Sequence, residues 1–222
     1  MDKRILSACC AALLLALSGL PLRAQNVFAG RSSLSVQAGP SWYTGRFLGL
    51  THAGADYRGD LRRGVAWSVD YWWRGVRDKG RHVRVQPGLL YQGSTYSGSW
   101  QNGSDRLHLH YIAPQFGLFG GRDRWLWQAS VGAGYQFFKN HSRVYGRDRR
   151  VSMNKLAANL SAGGEYAFTH HWAVALRLHW LLSTSDRYNV SYHDEHWNVE
   201  HPATGEGYFG QLSLQAGLAW RF

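Results

Sequence analysis

Two short stretches of this sequence carry the residue types of nucleophilic catalysis. His141 and Ser142 are adjacent, and Ser191, His193 and Asp194 lie close together further along the chain. A catalytic serine needs a histidine within hydrogen-bond reach and a third group that orients this histidine. Neighbouring residues of a strand point to opposite faces, so His141 and Ser142 are poorly placed to act as partners. The sequence therefore favours a protein that is not an enzyme.

The segment around His193 also contains side chains that bind metal ions. Imidazoles and carboxylates are concentrated between residues 193 and 201, namely His193, Asp194, Glu195, His196, Glu200 and His201. Such groups suit zinc and similar ions. Their spacing in a polar loop is more typical of a solvated surface. We therefore predict no bound metal and no cofactor.

Charged residues separate into a basic segment and an acidic segment. The basic segment contains Lys139, Arg143, Arg147, Arg149 and Arg150, offset only by Asp148. The acidic segment contains Asp186, Asp194, Glu195, Glu200 and Glu206 against Arg187. Guanidinium groups bind phosphate strongly and with two hydrogen bonds. The basic segment is therefore predicted to bind lipid phosphates or an acidic partner, or to pair with the acidic loop.

The end of the chain alternates strictly between apolar and polar or small side chains. The apolar positions between residues 210 and 222 are Leu212, Leu214, Ala216, Leu218, Trp220 and Phe222. This period of two indicates a β-strand with one apolar face. A strand that spans a membrane needs about 9–11 residues of this kind, with apolar side chains outward.

Seven earlier segments alternate in the same way, which predicts eight strands over residues 33–43, 63–73, 83–92, 107–118, 125–137, 155–166, 172–182 and 210–222. In the fourth, the apolar phase moves from Leu107, Leu109 and Tyr111 to Pro114, Phe116 and Leu118, which predicts a bulge near residues 112–114. The connections alternate between long and short, and aromatic residues lie near the strand ends. The predicted fold is all-β, an eight-stranded antiparallel up-and-down transmembrane β-barrel.

The first residues have the features of a secretory signal peptide. Lys3 and Arg4 precede an apolar run over residues 5–20, and Ala24 supplies a small residue for cleavage. We predict a signal peptide over residues 1–24 and a barrel domain over residues 25–222. Both cysteines, Cys9 and Cys10, fall in the signal segment, so the exported chain has no disulfide to stabilise it.

The terminal strand resembles the C-terminal signal of bacterial outer-membrane barrels, which runs polar-x-Gly-x-x-apolar-x-aromatic. Gln215, Gly217, Trp220 and Phe222 match it in place. The segment 111–114, Tyr-Ile-Ala-Pro, also resembles a Tyr-Leu-x-x-Pro run of the small outer-membrane barrels of the Bacteroidetes type, called porin-family or OmpA/OmpX-like barrels. The resemblance covers nearly all of the mature chain. It implies a bacterial outer-membrane location, contact with lipopolysaccharide and recognition by the barrel-assembly machinery.

The polar phase of the strands predicts what fills the lumen. Asp70, Arg84, Glu165 and Arg177 are expected to point inward and to pair, because buried charges need partners. Further inward candidates are Trp72, Gln86, His108, His110, Gln128, Gln136, Lys155, Asn159, His179 and Arg221. An eight-stranded barrel is just wide enough for such side chains. A filled lumen is therefore predicted, and the word porin is no evidence of a pore.

The predicted function is structural or interactive. Surface loops would bind lipopolysaccharide or a protein partner. An accessory subunit of an envelope complex is one form that such a role could take. The alternatives are a lipid A-modifying enzyme and a narrow channel. The net charge of +11 would also suit a nucleic-acid-binding protein, but export argues against that class.

Overall fold

The computed structural model describes residues 32–45, 50, 52, 54–73, 83–122, 124–185, 187–192, 195–200 and 207–222. The predicted signal peptide and the predicted turn after residue 73 lie outside these residues. The elements are β1 (Ser32–Tyr43), α1 (Ala55–Leu61), β2 (Arg63–Trp73), β3 (Val83–Trp100), β4 (Gly103–Arg122), β5 (Trp125–Val144), β6 (Arg147–Ala167), β7 (Trp172–Ser185), β8 (Arg187–Tyr192), β9 (Glu195–Glu200) and β10 (Gly207–Arg221). Among the described residues, no helix is long and apolar enough to cross a membrane.

The strands close into a barrel. Each of β1 to β6 pairs antiparallel with the next strand, β7 pairs with β10, and β10 pairs with β1. These eight strands make the predicted eight-stranded antiparallel barrel, which is confirmed. The hairpin β8–β9 is an addition to it, and β8 pairs with the upper part of β6, from Arg149↔Tyr192 to Ser152↔Asn189.

The first and last strands meet in a tight seam. Gly217 lies opposite Gln37, and a Cβ at this position would collide with the carbonyl oxygen of Val36. At the chain end, the Phe222 amide donates to the Ser32 carbonyl at 3.0 Å, and the Ser32 amide donates to the Phe222 carbonyl at 2.9 Å. The terminal residues therefore complete the ring of backbone hydrogen bonds.

The wall is apolar on the outside over most of its height, as the alternation predicted. Aromatic side chains gather near both of its edges. Contacts at the lower edge, where the short turns lie, include Trp125 with Tyr166 and Trp220 with Phe222, with ring centroids 4.9 and 4.6 Å apart. At the upper edge, Tyr135 and Phe137 have ring centroids 5.1 Å apart.

The predicted long loops are largely strands, and this part of the sequence-based prediction was wrong. β3 and β4 pair as far as Trp100↔Gly103, and β5 and β6 pair as far as Val144↔Arg147. The turn between β5 and β6 uses positive φ angles at Tyr145 and Gly146, of 48° and 80°. These extensions raise a sheet above the apolar wall, and β8–β9 enlarges it.

Above the apolar wall, the polarity of inside and outside is exchanged. In β4, Leu107 and Leu109 are buried inside, while the exposed Arg106 and the partly exposed His108 lie outside. The predicted bulge near residues 112–114 is therefore wrong, and so are the outward placement of Leu107, Leu109 and Tyr111 and the inward placement of His108 and His110. The β3–β4 register runs without a slip from Val83↔Gly120 to Trp100↔Gly103. Water replaces an apolar surrounding at this level, so the apolar side chains turn inward.

An apolar core fills the upper end of the barrel. Helix α1 contributes Tyr57 and Leu61, which pack with side chains of the barrel wall. The other buried members are Tyr43, Tyr96, Leu107, Leu109, Phe138, Val151, Met153, Val190 and Phe209. Within the part of the chain that the structure describes, this core closes the upper end of the lumen.

The seam predicts an unequal response to alanine at two glycines. Gly217→Ala places a methyl group against the β1 backbone, so we expect the barrel to close poorly or not at all. Gly59→Ala in α1 meets nothing within 4 Å and should be neutral or stabilising by up to about 1 kcal/mol. The measurement is gel migration with and without heating, which separates folded from unfolded barrels. A Gly217→Ala variant as stable as the parent protein would contradict the tight seam.

Candidate functional site

The middle of the lumen holds a buried network of charged side chains. Arg177 of β7 lies 2.7 Å from an Asp70 carboxylate oxygen and 2.7 Å from a Glu165 oxygen. Arg221 of β10 donates to the other Glu165 oxygen at 2.8 Å. All four side chains are at most 1% exposed. The sequence placed Asp70, Glu165 and Arg177 in this network, and the structure adds Arg221.

Amide groups complete the surroundings of the Asp70 carboxylate. Gln37 donates to one oxygen at 3.2 Å and Gln115 donates to the other at 3.1 Å. With these two amides, the network joins six strands across the lumen.

Arg84 was the fourth predicted member of the network. It lies on the inward face, but it is partly exposed and lies opposite Phe119 near the lower end.

Apolar clusters lie on both sides of this network. Below it are Trp72, Phe119, Leu126, Ala167, Ala173 and Ala219. Above it are Leu90, Tyr111, Ala113, Ala157 and Leu181, followed by the upper core. Charged groups between two apolar layers are well placed to hold the strands together and poorly placed to receive a ligand.

The catalytic candidates lie on opposite faces of β5. Ser142 points inward, where its hydroxyl donates to the buried Asp105 carboxylate, and Asn140 donates to the same oxygen at 2.7 Å. His141 is exposed on the outside, with its ring centroid 6.0 Å from that of His108. His141 and Ser142 are therefore not brought together.

The candidate metal segment is described only in part. His196 lies opposite Ser191 in the β8–β9 hairpin, and Glu200 forms an exposed ion pair with Arg187 at 3.2 Å. His193, Asp194 and His201 lie outside the described residues. Within the described ranges, no three His, Cys, Asp or Glu side chains form a metal-binding group.

The predicted basic loop is a pair of strands, so its cations divide between two faces. Lys139, Arg143 and Arg150 share the outward face of β5 and β6, since they alternate with the inward Asn140, Ser142 and Val151. Arg147 and Arg149 belong to the other face, which turns toward the lumen axis. The five residues therefore do not form one surface.

The outward cations instead join others on β4. Cross-strand register places Arg106, His141 and Arg150 in one row and His108 and Lys139 in the row below. We call the set the cationic band, and it comprises Arg106, His108, His110, Lys139, His141, Arg143 and Arg150. Asp148, opposite Arg143, is the acidic residue at its upper edge. The band begins directly above the aromatic upper edge of the wall, because His110 lies opposite Phe137.

Neighbouring groups fix the histidines of the band. The Tyr91 hydroxyl lies 3.0 Å from Nδ1 of His110, and the Thr95 hydroxyl lies 3.2 Å from Nδ1 of His108. Partial burial lowers the pKa of His108, and the positive charges of His141, Arg106 and His110 lower this pKa further. A surface of this kind binds anions, and its charge rises as the pH falls.

The sequence contained a signal for the band that the strand assignment missed. Arg106, His108 and His110 recur at every second residue, as do Lys139, His141 and Arg143. Each triplet continues the outward phase of the apolar wall below it. The outward positions of β4 and β5 continue without a slip, and their side chains change from apolar to polar.

Comparison with known proteins agrees with this architecture. A family model described as an outer membrane protein beta-barrel domain matches residues 10–222. No curated protein matches the sequence.

Solved structures of outer-membrane proteins share the fold at low sequence identity. A major outer membrane protein from Thermus thermophilus is 13% identical, with a TM-score of 0.54 and coverage of 86% of this chain and 99% of that chain. The outer membrane protease OmpT from Escherichia coli is 10% identical, with a TM-score of 0.50 and coverage of 86% and 96%. At such identities the likeness concerns the fold alone.

The lumen network predicts a strong effect of removing its central cation. Arg177→Met leaves Asp70 and Glu165 buried with less positive charge, so we expect a loss of about 3–5 kcal/mol in the free energy of unfolding. The double variant Asp70→Asn, Arg177→Met removes one carboxylate with the cation and keeps the buried Glu165–Arg221 pair, so it should recover most of this loss. Urea unfolding in detergent measures both.

The exposed Arg187–Glu200 pair supplies the control, with side chains 70% and 66% exposed. Replacing both residues by Gln should change the stability by less than about 1 kcal/mol. If Arg177→Met were as harmless as this control, the network would not stabilise the barrel.

Proposed function

We propose, since this chain belongs to the outer membrane protein β-barrel domain family, that it binds acidic lipid headgroups at the membrane surface and catalyses no reaction. The protein is located in the bacterial outer membrane. In the proposal, the long hairpins face outward from the cell, as is typical of outer-membrane barrels. The cationic band then meets the headgroups of the outer leaflet, where lipopolysaccharide carries its phosphates.

The observation that supports this proposal most directly is the position of the band. Arg106, Lys139, His141 and Arg150 are exposed on the outer wall, immediately above its apolar part. Lipid phosphates lie at this boundary between the hydrocarbon and water. Each Lys or Arg near an anionic membrane surface contributes about 1 kcal/mol, so the combined attraction of the band is substantial.

The geometry gives less support to the two alternatives. A lipid A-modifying enzyme would require a serine beside a histidine and a third group that orients this histidine. His141 and Ser142 face opposite sides of β5. Ser191 and His196 lie opposite each other, but no group within the described ranges hydrogen-bonds the His196 ring. A channel would require a passage through the lumen, where charged and apolar layers alternate. The band is therefore the best-supported site of interaction.

Removing three cations of the band should reduce lipid binding. The variant Arg106→Gln, Lys139→Gln, Arg150→Gln is expected to retain clearly less lipopolysaccharide than the parent protein after purification in mild detergent, with the difference shrinking at high salt. The charge-matched control is Arg58→Gln, Arg62→Gln, Arg147→Gln, at exposed positions outside the band. Mass spectrometry of the extracted lipid measures the amount of lipopolysaccharide retained per barrel. Equal losses in both variants would point to net charge rather than to the band.

Mass spectrometry of lipid A also separates binding from catalysis. Lipid A from cells with and without the protein should be chemically identical. A change in acylation that disappears with His141→Ala, Ser142→Ala or His196→Ala would overturn the proposal in favour of an enzyme.

Lipid binding should strengthen as the pH falls. Because its lowered pKa keeps His108 neutral at pH 7.5, protonation adds charge to the band only below the ordinary histidine pKa of about 6.5. Arg106, Lys139, His110 and His141 surround His108, so no nearby carboxylate offsets this gain within the two rows. Phosphatidylglycerol is a suitable probe, since its phosphodiester does not titrate in this range.

The expected result is more phosphatidylglycerol bound per barrel at pH 5.5 than at pH 7.5 in mixed micelles. Replacing all three histidines of the band by glutamine (His108→Gln, His110→Gln and His141→Gln) should remove most of this difference. A pH response that survives this triple substitution would show that groups outside the band control it.

A further inference from the structure

The sheet above the apolar wall contains a groove of about 690 Å³ on strands β5, β6, β8 and β9. Each strand contributes three consecutive residues to its lining, from 139–141, 150–152, 189–191 and 196–198. In each triplet the first and third side chains point outward, and the middle residue belongs to the other face. The groove is therefore open to the outside, with the backbone of the middle residues as its floor.

Cross-strand register orders the lining into two parallel rows. Each row has one residue from each strand. The first row is His141, Arg150, Ser191 and His196, and the second is Lys139, Ser152, Asn189 and Asn198. Neighbouring strands lie about 4.8 Å apart, so four strands span about 14 Å. This length and the volume suit a ligand of one or two sugar rings, within the usual range for small-molecule sites.

The two halves of the groove differ in chemistry. The β5–β6 half presents the cations Lys139 and Arg150 together with the imidazole of His141, and these groups suit a phosphate group. The β8–β9 half presents Asn189, Ser191, His196 and Asn198, whose amide, hydroxyl and imidazole groups donate to and accept from neutral polar groups. Among the described lining residues there is no Asp or Glu. A matching ligand is anionic at one end and carries several hydroxyl groups at the other.

We propose that this groove binds a phosphorylated saccharide, with its phosphate on β5–β6 and its sugar hydroxyls on β8–β9. The inference rests on the proposed function, because Lys139, His141 and Arg150 also belong to the cationic band. It adds selectivity for a sugar, which the band alone does not provide. The headgroup of a phosphorylated glycolipid and a free sugar phosphate have this chemistry in common.

The first test uses soluble probes on the folded full-length barrel in detergent. α-D-Glucose 1-phosphate and methyl phosphate carry the same phosphate monoester and differ in the sugar. If two or more hydrogen bonds from the amide half reach the sugar, glucose 1-phosphate should bind about tenfold more tightly in calorimetry or ligand-observed NMR. Equal affinities would overturn the saccharide inference while leaving headgroup binding by the band intact.

Two sets of variants locate the halves of the groove. Asn189→Ala with Asn198→Ala should bring the affinity for glucose 1-phosphate down to that for methyl phosphate, and leave methyl phosphate binding unchanged. The matched control is Asn102→Ala with Asn154→Ala, at exposed positions that do not line the groove. Lys139→Gln with Arg150→Gln should weaken both probes. If the double asparagine variant retained the tenfold preference, the sugar would not lie on β8–β9.

Lipid extraction distinguishes the two sources of the ligand. Loss of a co-purified phosphorylated glycolipid in the asparagine variant, but not in its control, would assign the groove to a membrane headgroup. Glycolipid retention unaffected by that variant, together with the tenfold preference for glucose 1-phosphate, would assign it to a soluble sugar phosphate. The proposed function itself would be wrong if neither probe bound and if the three-cation substitution of the band left the amount of retained lipid unchanged.

Discussion

Each strand of a closed barrel alternates between side chains that point outward and side chains that point into the lumen. The surroundings of the wall therefore constrain both sets of residues. Where the outside is apolar, the inward phase carries Asp70, Glu165 and Arg177. Where water surrounds the wall, the same inward phase carries Leu107, Leu109 and Phe138. Because successive side chains alternate without a slip, the outward phase of one strand can change from apolar to polar once along its length without a bulge. The cationic band and the groove exist because the outward phase becomes polar at that level.

The polar part of the lumen has an energetic requirement of its own. Four charged side chains that are at most 1% exposed are tolerated only because each is paired. The carboxylates accept from Arg177, Arg221 and two glutamine amides, so the network ties together strands that are distant in sequence. The apolar layers on either side keep these charges away from water, and the tight seam at Gly217 completes the enclosure.

Alternation alone predicted the eight barrel strands, the outward apolar residues other than Leu107, Leu109 and Tyr111, and three members of the charged network. A strand such as β2 can be recognised from the sequence because its outward residues, which include Val65, Trp67 and Tyr71, are apolar along the strand. The extensions were missed because their outward phase is polar, so residues 139–153 read as a basic loop. Placing Arg147 and Arg149 apart from Arg143 and Arg150 required the register of the β5–β6 hairpin. The groove could not be predicted, since it depends on β8 pairing with β6 rather than with β7.

Cysteine scanning along β5 tests the exchange of polarity most directly. Single cysteines would be placed at residues 131, 133, 138, 140, 141 and 143, in a mature chain that the predicted signal cleavage leaves without native cysteines, and treated with a water-soluble maleimide in intact membranes. We expect labelling at His141 and Arg143 only, because Val131 and Ala133 face lipid whereas Phe138 and Asn140 face the packed core. Labelling at 138 and 140 with protection at 141 and 143 would contradict the account, because the outward and inward phases above the wall would then be reversed.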